Sequence, residues 1–268
     1  MGAGQQLRDG AAAPEDVARR VPGTGAGDPV HPRRRGPVRV TPYYADDLVT
    51  LYLGDCREVT GWLGADVLVT DPPWGRNFQP RRDPRVGYIY NRQTIAGDTD
   101  TTVRDAALAM WTPRLAIVFG DLRLAPALGT KQVLIYRKPP DAGTLGTAGG
   151  WRHDVEAVYL LGPWPVGWGG RSSVIGTSAR TSGGQTGASH RYGHPHAKPV
   201  DVMETLITAC PPGVIADPFA GSGSTLVAAR NLGRRSIGVE IDERYAEMAA
   251  RRLAQGVLPL ALPVMHGA

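Results

Sequence analysis

The sequence predicts an α/β fold with a largely parallel sheet. Two observations carry that expectation. Short apolar runs of strand length alternate with segments of helical spacing along the body of the chain. One of those runs, Gly213–Ala216, enters a glycine-rich turn out of which a helix leaves, the kind of connection that parallel strands require. No internal repeat competes with this organisation.

The elements follow in order. Residues 1–37 are rich in Gly, Ala, Pro and Arg without apolar periodicity, which predicts a disordered basic tail; a short helix at Pro14–Arg20 is the alternative. The folded body is expected over 38–256, with a second tail over 257–268. Leu48–Leu53 reads as a strand ending at Gly54-Asp55, and Val59–Leu63 suits a short helix. Asp66–Thr70 is a buried strand that runs into Asp71-Pro72-Pro73-Trp74, followed by an arginine-rich loop. Thr101–Trp111 spaces Val103, Ala106, Ala107 and Met110 as a helix does, and Pro113 ends it. Leu115–Phe119 is another buried strand; Gln132–Tyr136 and Glu156–Leu161 are strand candidates. Trp164–Tyr192 is turn-rich and reads as a long, loosely structured insertion. Val200–Ala209 is a helix with Val202, Met203, Leu206 and Ile207 on its apolar face. The strand Gly213–Ala216 ends at Asp217, and the helix Ser224–Leu232 has Gly233 as its C-terminal cap. A strand over Ser236–Val239 ends at Glu240, and Glu243–Leu253 is the last helix.

Composition narrows the class. A hydrophobic fraction of 42 % over 268 residues supports a sizeable core. No apolar run reaches the roughly 18 residues of a membrane span, and no apolar leader opens the chain, so a cytoplasmic location is expected. Two cysteines, Cys56 and Cys210, exclude a disulfide scaffold and a four-cysteine zinc site. The net charge of +5 comes largely from the first 39 residues, so its distribution says more than its sum. Arg76, Arg81, Arg82, Arg85 and Arg92 face a single acid, Asp83. From Ala157 to Val200 there is no acid, but Arg171, Arg180, Arg191 and Lys198 are present. These two stretches point to contacts with a polyanion. His190, His194 and His196 do not suggest a metal site, because Pro195 keeps them off one regular helix face.

The strongest local signal is Asp217-Pro218-Phe219-Ala220-Gly221-Ser222-Gly223-Ser224-Thr225 after a buried strand. Glycines let backbone approach a ligand that a Cβ would block, and a helix N-terminus offers N–H groups. Glu240, about 20 residues on at the next strand end, stands where a carboxylate accepts from ribose hydroxyls. A phosphate-binding loop is excluded because no Lys follows the glycines, and a dinucleotide fingerprint because Leu226 replaces its third Gly. An adenosyl ligand without phosphates remains, and S-adenosylmethionine is one.

Asp71-Pro72-Pro73-Trp74 also sits at a carboxyl edge of the sheet, where open α/β folds bind ligands. Pro73 holds Pro72 extended, so the Pro72 carbonyl is aimed rigidly beside the Asp71 carboxylate. Two acceptors and the flat face of Trp74 suit an exocyclic aromatic amine such as adenine N6 or cytosine N4. Accepting both amine hydrogens makes the nitrogen electron-rich as a bond forms. The face of Trp74 also favours a nearby sulfonium cation.

These motifs resemble those of the DNA amino-methyltransferases, whose catalytic motif is (D/N/S)-P-P-(Y/F/W) and whose cofactor loop is similar to D-P-F-x-G-S-G-T. The catalytic motif comes first here, which resembles the circularly permuted beta group. His194-Pro195-His196-Ala197-Lys198-Pro199 is similar to the H-P-x-x-K-P stretch of that group, and Leu51–Cys56 to the segment upstream of D-P-P. The resemblance implies a Rossmann-like S-adenosylmethionine-dependent methyltransferase fold, a mostly parallel sheet with one antiparallel strand and helices on both faces. It implies Asp71, Pro72, Pro73 and Trp74 as catalytic. It implies Asp55, Cys56, Asp71, His194, Lys198, Pro199, the Asp217–Thr225 loop and Glu240 as the cofactor site, with Asp55 accepting from the cofactor's adenine amine and Lys198 at its methionine end. Arg76, Arg81, Arg82, Arg85, Arg92, Arg171, Arg180 and Arg191 are the expected DNA contacts, with target recognition over about 138–192. The implied partner is double-stranded DNA, as in restriction–modification systems, and members of the group often dimerise. Asp at position 71 leans toward adenine N6 and Ser would lean toward cytosine N4. An RNA adenine methyltransferase and a non-catalytic cofactor-binding protein are the other readings.

Overall fold

A computed structural model describes residues 41–77, 95–138, 150–165, 167, 170–177 and 197–255. Both expected tails, the Pro14–Arg20 helix, Arg81, Arg82, Arg85, Arg92, Arg180, Arg191 and His194 lie outside the described residues.

The strands are β1 (Tyr44–Ala45), β2 (Val49–Leu53), β3 (Val67–Thr70), β4 (Ala116–Gly120), β5 (Thr130–Arg137), β6 (Val155–Leu161), β7 (Val174–Gly176), β8 (Ile215–Asp217) and β9 (Ser236–Glu240). The helices are α1 (Thr102–Trp111), α2 (Val200–Thr208), α3 (Ser224–Asn231) and α4 (Glu243–Ala254), with a 3-10 turn at Thr60–Gly64. One sheet takes the order β1-β2-β9-β8-β3-β4-β6-β5-β7. The block β2-β9-β8-β3-β4 is parallel throughout.

Two strands run against the rest where one was expected. β6 is antiparallel to both β4 and β5, and the two-residue β1 is antiparallel to β2 at the sheet edge. β7 forms within the stretch expected to be loosely structured, because Val174–Gly176 adds parallel to β5. Of residues 138–192, 155–161 and 174–176 are therefore strands of the central sheet.

Alternation along β3 and β4 builds two layers. Val67, Val69, Ile117 and Phe119 point to one face and pack with Val202, Met203, Leu206 and Ile207 of α2 and Ala228 and Ala229 of α3. Leu68, Ala116 and Val118 point to the other, against Trp62 and Ala107, Leu108 and Trp111 of α1. Covering both faces explains why β3 and β4 read as unbroken apolar runs. Each of the Val, Leu, Ile, Phe and Met side chains among them contributes about 1.5–3 kcal/mol on burial. A third cluster seats Ala246, Ala249 and Leu253 of α4 on Val49, Leu51 and Leu226. Trp62 and Trp111 stack at 5.7 Å, and Trp62 Nε1 donates to the Cys56 carbonyl at 2.8 Å, which fixes the segment after β2.

Candidate active site

The parallel block delivers five carboxylates to one edge. β9 and β8 end in Glu240 and Asp217; β3 and β4 are followed directly by Asp71 and Asp121; β2 is followed by Gly54 and Asp55. Chain direction reverses its walk across the sheet between β8 and β3: β8 leads outward to β9, and β3 leads the other way to β4. That is the switch point at which open α/β sheets bind ligands.

Asp71-Pro72-Pro73-Trp74 and Asp217–Thr225 flank this point and are joined there. Thr70 Oγ1 donates to Asp217 Oδ1 at 2.7 Å in a buried contact. Asp71 is held on both oxygens. Trp74 Nε1 donates to Oδ1 at 3.1 Å, and Lys198 Nζ lies 2.6 Å from Oδ2. Lys198 is itself buried and reaches Glu156 of β6 at 3.2 Å; Lys138 lies 2.6 Å from the other oxygen of Glu156. The Lys198 ammonium also stands 4.9 Å from the Trp74 ring and 5.0 Å from the Phe119 ring. Burial pushes Asp71 above the usual carboxylate range, and Lys198 offsets this only in part. Burial pulls Lys198 down, but Asp71 and Glu156 outweigh it and the ammonium is held more firmly than usual.

Asp98 shapes the motif from below. One buried oxygen, Oδ1, accepts from the N–H groups of Trp74 at 2.9 Å, Gly75 at 2.9 Å and Arg76 at 3.2 Å. Gly75 is at φ +78, and a Cβ there would come within 2.7 Å of the Asp100 backbone, so only glycine lets the loop close over Asp98.

On the other side of the switch point, Glu240 is buried and accepts from Gly221 N–H at 2.7 Å and Asp242 N–H at 2.8 Å. Burial pushes its carboxyl up despite these bonds, and burial pushes Asp217 up to about 6. Gly221 turns at φ +52. Gly223 also has a packing reason that the sequence did not suggest. Its φ is +80, and an added Cβ would lie 2.9 Å from Ala249 Cβ, so the residue lets α3 start close against α4. From α4, Arg252 donates to the Ser222 carbonyl at 2.6 Å and to the hydroxyls of Ser222 and Ser224 at 3.2 and 3.4 Å. Pro218, Phe219 and Ala220 complete the turn, with Phe219 N–H on Asp217 Oδ1 at 3.1 Å and Thr225 buried in the first turn of α3.

Other expected site residues fall as follows. Asp55 holds Arg57, which keeps its carboxyl below the usual range. Cys56 and Cys210 are buried, with burial pushing both thiols up to about 12, so neither is a ready nucleophile. The family resemblance implied Lys198 at the methionine end of the cofactor; its ammonium pairs with Asp71 and Glu156, and Pro199 caps α2. Arg76 pairs with Asp121, and Arg171 is exposed. Among the described residues no three His, Cys, Asp or Glu side chains gather as a metal-ligand set, and no helix is long and apolar enough to cross a membrane.

Sequence reasoning missed Asp98, Asp121 and Glu156. Two of these carry a visible signal. Asp121 follows a buried strand just as Asp71 does, and Glu156 is the one acid inside the apolar run Val155–Leu161. Asp98 has no local mark.

The sheet order, the antiparallel β6 and the two motifs at the switch point define a Rossmann-like α/β methyltransferase fold. The solved M1.HpyAVI–SAM complex shares it, with a TM-score of 0.52 over 77 % of this chain and 100 % of that one, at 19 % identity. Residues 130–251 match the model of the DNA methylase family. The putative methylase YubD of Escherichia coli K12 is 30 % identical over 224 residues, 75 % of this chain and 88 % of YubD. The Type II methyltransferase M.ScaI of Streptomyces caespitosus is 48 % identical over 75 residues, 27 % of this chain and a quarter of that enzyme. The chain belongs to the DNA methylase family, the N6/N4 methyltransferases that use S-adenosylmethionine.

Proposed function

We propose that the protein methylates the N6 amine of adenine in double-stranded DNA, taking the base out of the helix to do so. The observation that carries this reading is the Asp71-Pro72-Pro73-Trp74 motif, one strand from the glycine turn and bound to it through Thr70 and Asp217.

The residues at the edge fit S-adenosylmethionine. A carboxylate has about four acceptor sites, and on Glu240 the N–H groups of Gly221 and Asp242 use two, which leaves capacity for a ribose diol. Its upward shift says that burial is incompletely offset, as expected of a group that gains further donors on ligand binding. The cofactor supplies an electrophilic methyl group on a sulfonium.

The protein then has to place a nucleophile. The Pro72 carbonyl and Asp71 accept the two amine hydrogens, and Trp74 provides the stacking face. Asp71 Oδ1 can share its lone pairs between Trp74 Nε1 and the amine, while Lys198 holds Oδ2 and fixes the plane of the carboxylate. Donors and acceptors set in advance cost no reorganisation during the reaction. After transfer the amine nitrogen sheds a proton, and Asp71, made more basic by burial, is the acceptor within reach. The target amine lies on the Watson–Crick edge, so duplex DNA must release the base at a cost of a few kcal/mol.

Nucleoside mass spectrometry tests the reading. The protein is incubated with S-adenosylmethionine and unmethylated DNA, with Asp71→Ala as control. N6-methyladenine from the wild type alone supports it. N4-methylcytosine would keep the chemistry and overturn the choice of base. Methylation of structured RNA in preference to duplex DNA, or of neither despite cofactor binding, would overturn the substrate or the catalytic role.

A further inference from the structure

Asp121 closes β4 at the same edge as Asp71, one strand over. β3 and β4 pair in parallel with Thr70 opposite Val118, and neighbouring strands lie about 4.8 Å apart. The Asp121 carboxylate is buried, its side chain 6 % exposed, yet it holds two arginines that are not: Arg76 and Arg123 are 43 % and 45 % exposed. Arg76 Nη1 lies 2.8 Å from Oδ2. Arg123 approaches edge-on, with Nη2 2.7 Å from Oδ2 and Nε 2.9 Å from Oδ1, and its own N–H donates to Oδ1 at 2.9 Å. One carboxylate thus fixes two guanidiniums side by side and leaves an excess of one positive charge.

Each guanidinium carries five N–H donors in a plane. Arg123 spends one edge on Asp121, and Arg76 spends one nitrogen, so both keep donor capacity at the exposed end. Paired guanidiniums with pre-set orientation are the usual means of gripping a phosphodiester. Arg76 also lies in the loop stapled by Asp98, so its backbone and side chain are both fixed beside the catalytic motif.

We propose that Arg76 and Arg123, held together on Asp121, form a clamp for a backbone phosphate adjoining the nucleotide that enters the site. The inference rests on the DNA-methylating reading above. It adds Arg123 and Asp121, which no motif marks, and it assigns them a sequence-independent task. Asp121 acts as a positioning residue, since it touches the arginines and not the nucleic acid.

Salt dependence is the test, because a protein that neutralises a duplex phosphate steepens the fall of log K with log[salt] by about 0.9. Full-length Arg123→Gln is compared with wild type in binding to a duplex of defined sequence and to an unrelated duplex, from low to moderate salt. The expected result is a slope shallower by about 0.9 on both duplexes, with S-adenosylmethionine affinity unchanged. Arg123→Lys should keep the slope while binding more weakly. If the arginines serve only to satisfy the buried carboxylate, Arg123→Gln lowers the melting temperature and leaves the slope alone, which overturns the clamp. Wild type that methylates DNA while the slope is unchanged condemns the clamp and spares the enzymatic reading. A lost slope in a protein that methylates nothing does the reverse. Wild type that binds neither duplex overturns both.

Discussion

Thr70 donates its hydroxyl to Asp217 at 2.7 Å, although 147 residues separate them in the chain. Thr70 is the last residue of the strand that presents Asp71-Pro72-Pro73-Trp74, and Asp217 is the last of the strand that presents the glycine turn. The contact fixes the height of one motif against the other. Thr70→Val removes the donor at nearly constant volume and leaves a buried acceptor short of a partner. It should cost about 1–3 kcal/mol in urea unfolding. Methyl transfer should fall further than cofactor binding, because the register between the two motifs loosens while each motif survives.

Asp71→Asn keeps the shape of the side chain and removes its charge and basicity. Turnover should fall by about 10²–10³, the range seen when one pre-set group opposite a developing charge is lost. Titration with S-adenosylmethionine should change little. A variant that binds normally and still turns over at the wild-type rate would show that Asp71 is not the acceptor.

Asp98→Ala deprives three consecutive N–H groups of their acceptor. The expected outcome is a lower melting temperature and a turnover loss of about tenfold or more, since small misplacement near a reacting atom is costly. Asp98→Asn retains an acceptor oxygen and should recover most of both. Equal damage from Ala and Asn would mean that charge, not the shared hydrogen bonds, is what the loop needs.

Gly223→Ala combines a left-handed backbone with a Cβ driven to 2.9 Å from Ala249. A loss of about 1–3 kcal/mol is expected from strain and overpacking. Adding Ala249→Gly relieves the contact but not the backbone, so the double variant should regain only part of the stability. Complete recovery would place the whole cost in packing.

The pH dependence of stability has a definite sign at Asp217. Its carboxyl is raised to about 6 in the folded protein by burial, against 3.8 for the free group. Between these values the folded state holds the proton and the unfolded state does not. This contribution is therefore full below 3.8 and is lost as pH rises through about 6, to a total of the order of 3 kcal/mol. Asp217→Asn keeps an oxygen for Thr70 and Phe219 and removes the titration. Unfolding free energies of wild type and variant, measured at pH 4.5 and 7, should converge toward the acid end. A constant difference across that interval would contradict the shift.

The long elements of the body were legible because their signals are local. β3 and β4 are unbroken apolar runs, and α1 and α2 carry helical spacing; each formed within about two residues of its expected bounds. β1 and β7 were not legible, because two or three residues have no periodicity and pair only once β2 and β5 offer an edge. At the site, motif residues could be read from spacing, but their partners could not. Nothing near Asp98 in sequence says that it lies under Trp74, and the resemblance placed Lys198 by its neighbours in the chain rather than by Asp71 and Glu156. Nothing near Gly223 in sequence says that its missing Cβ also makes room for Ala249 of α4.

The order of the sheet has a consequence for how the chain is made. β3 lies between β4 and β8, and β2 meets its parallel partner only in β9, the last strand among the described residues. At about 5–20 residues per second, roughly 7–30 s separate the synthesis of Thr70 from that of Asp217. Throughout that interval the nascent β3 has an apolar edge without its β8 neighbour. High contact order of this kind slows folding and exposes sticky edges. The edge that carries Asp71 and Asp217 is consequently a late product of biosynthesis, closed only when β8 and β9 slot between β2 and β3.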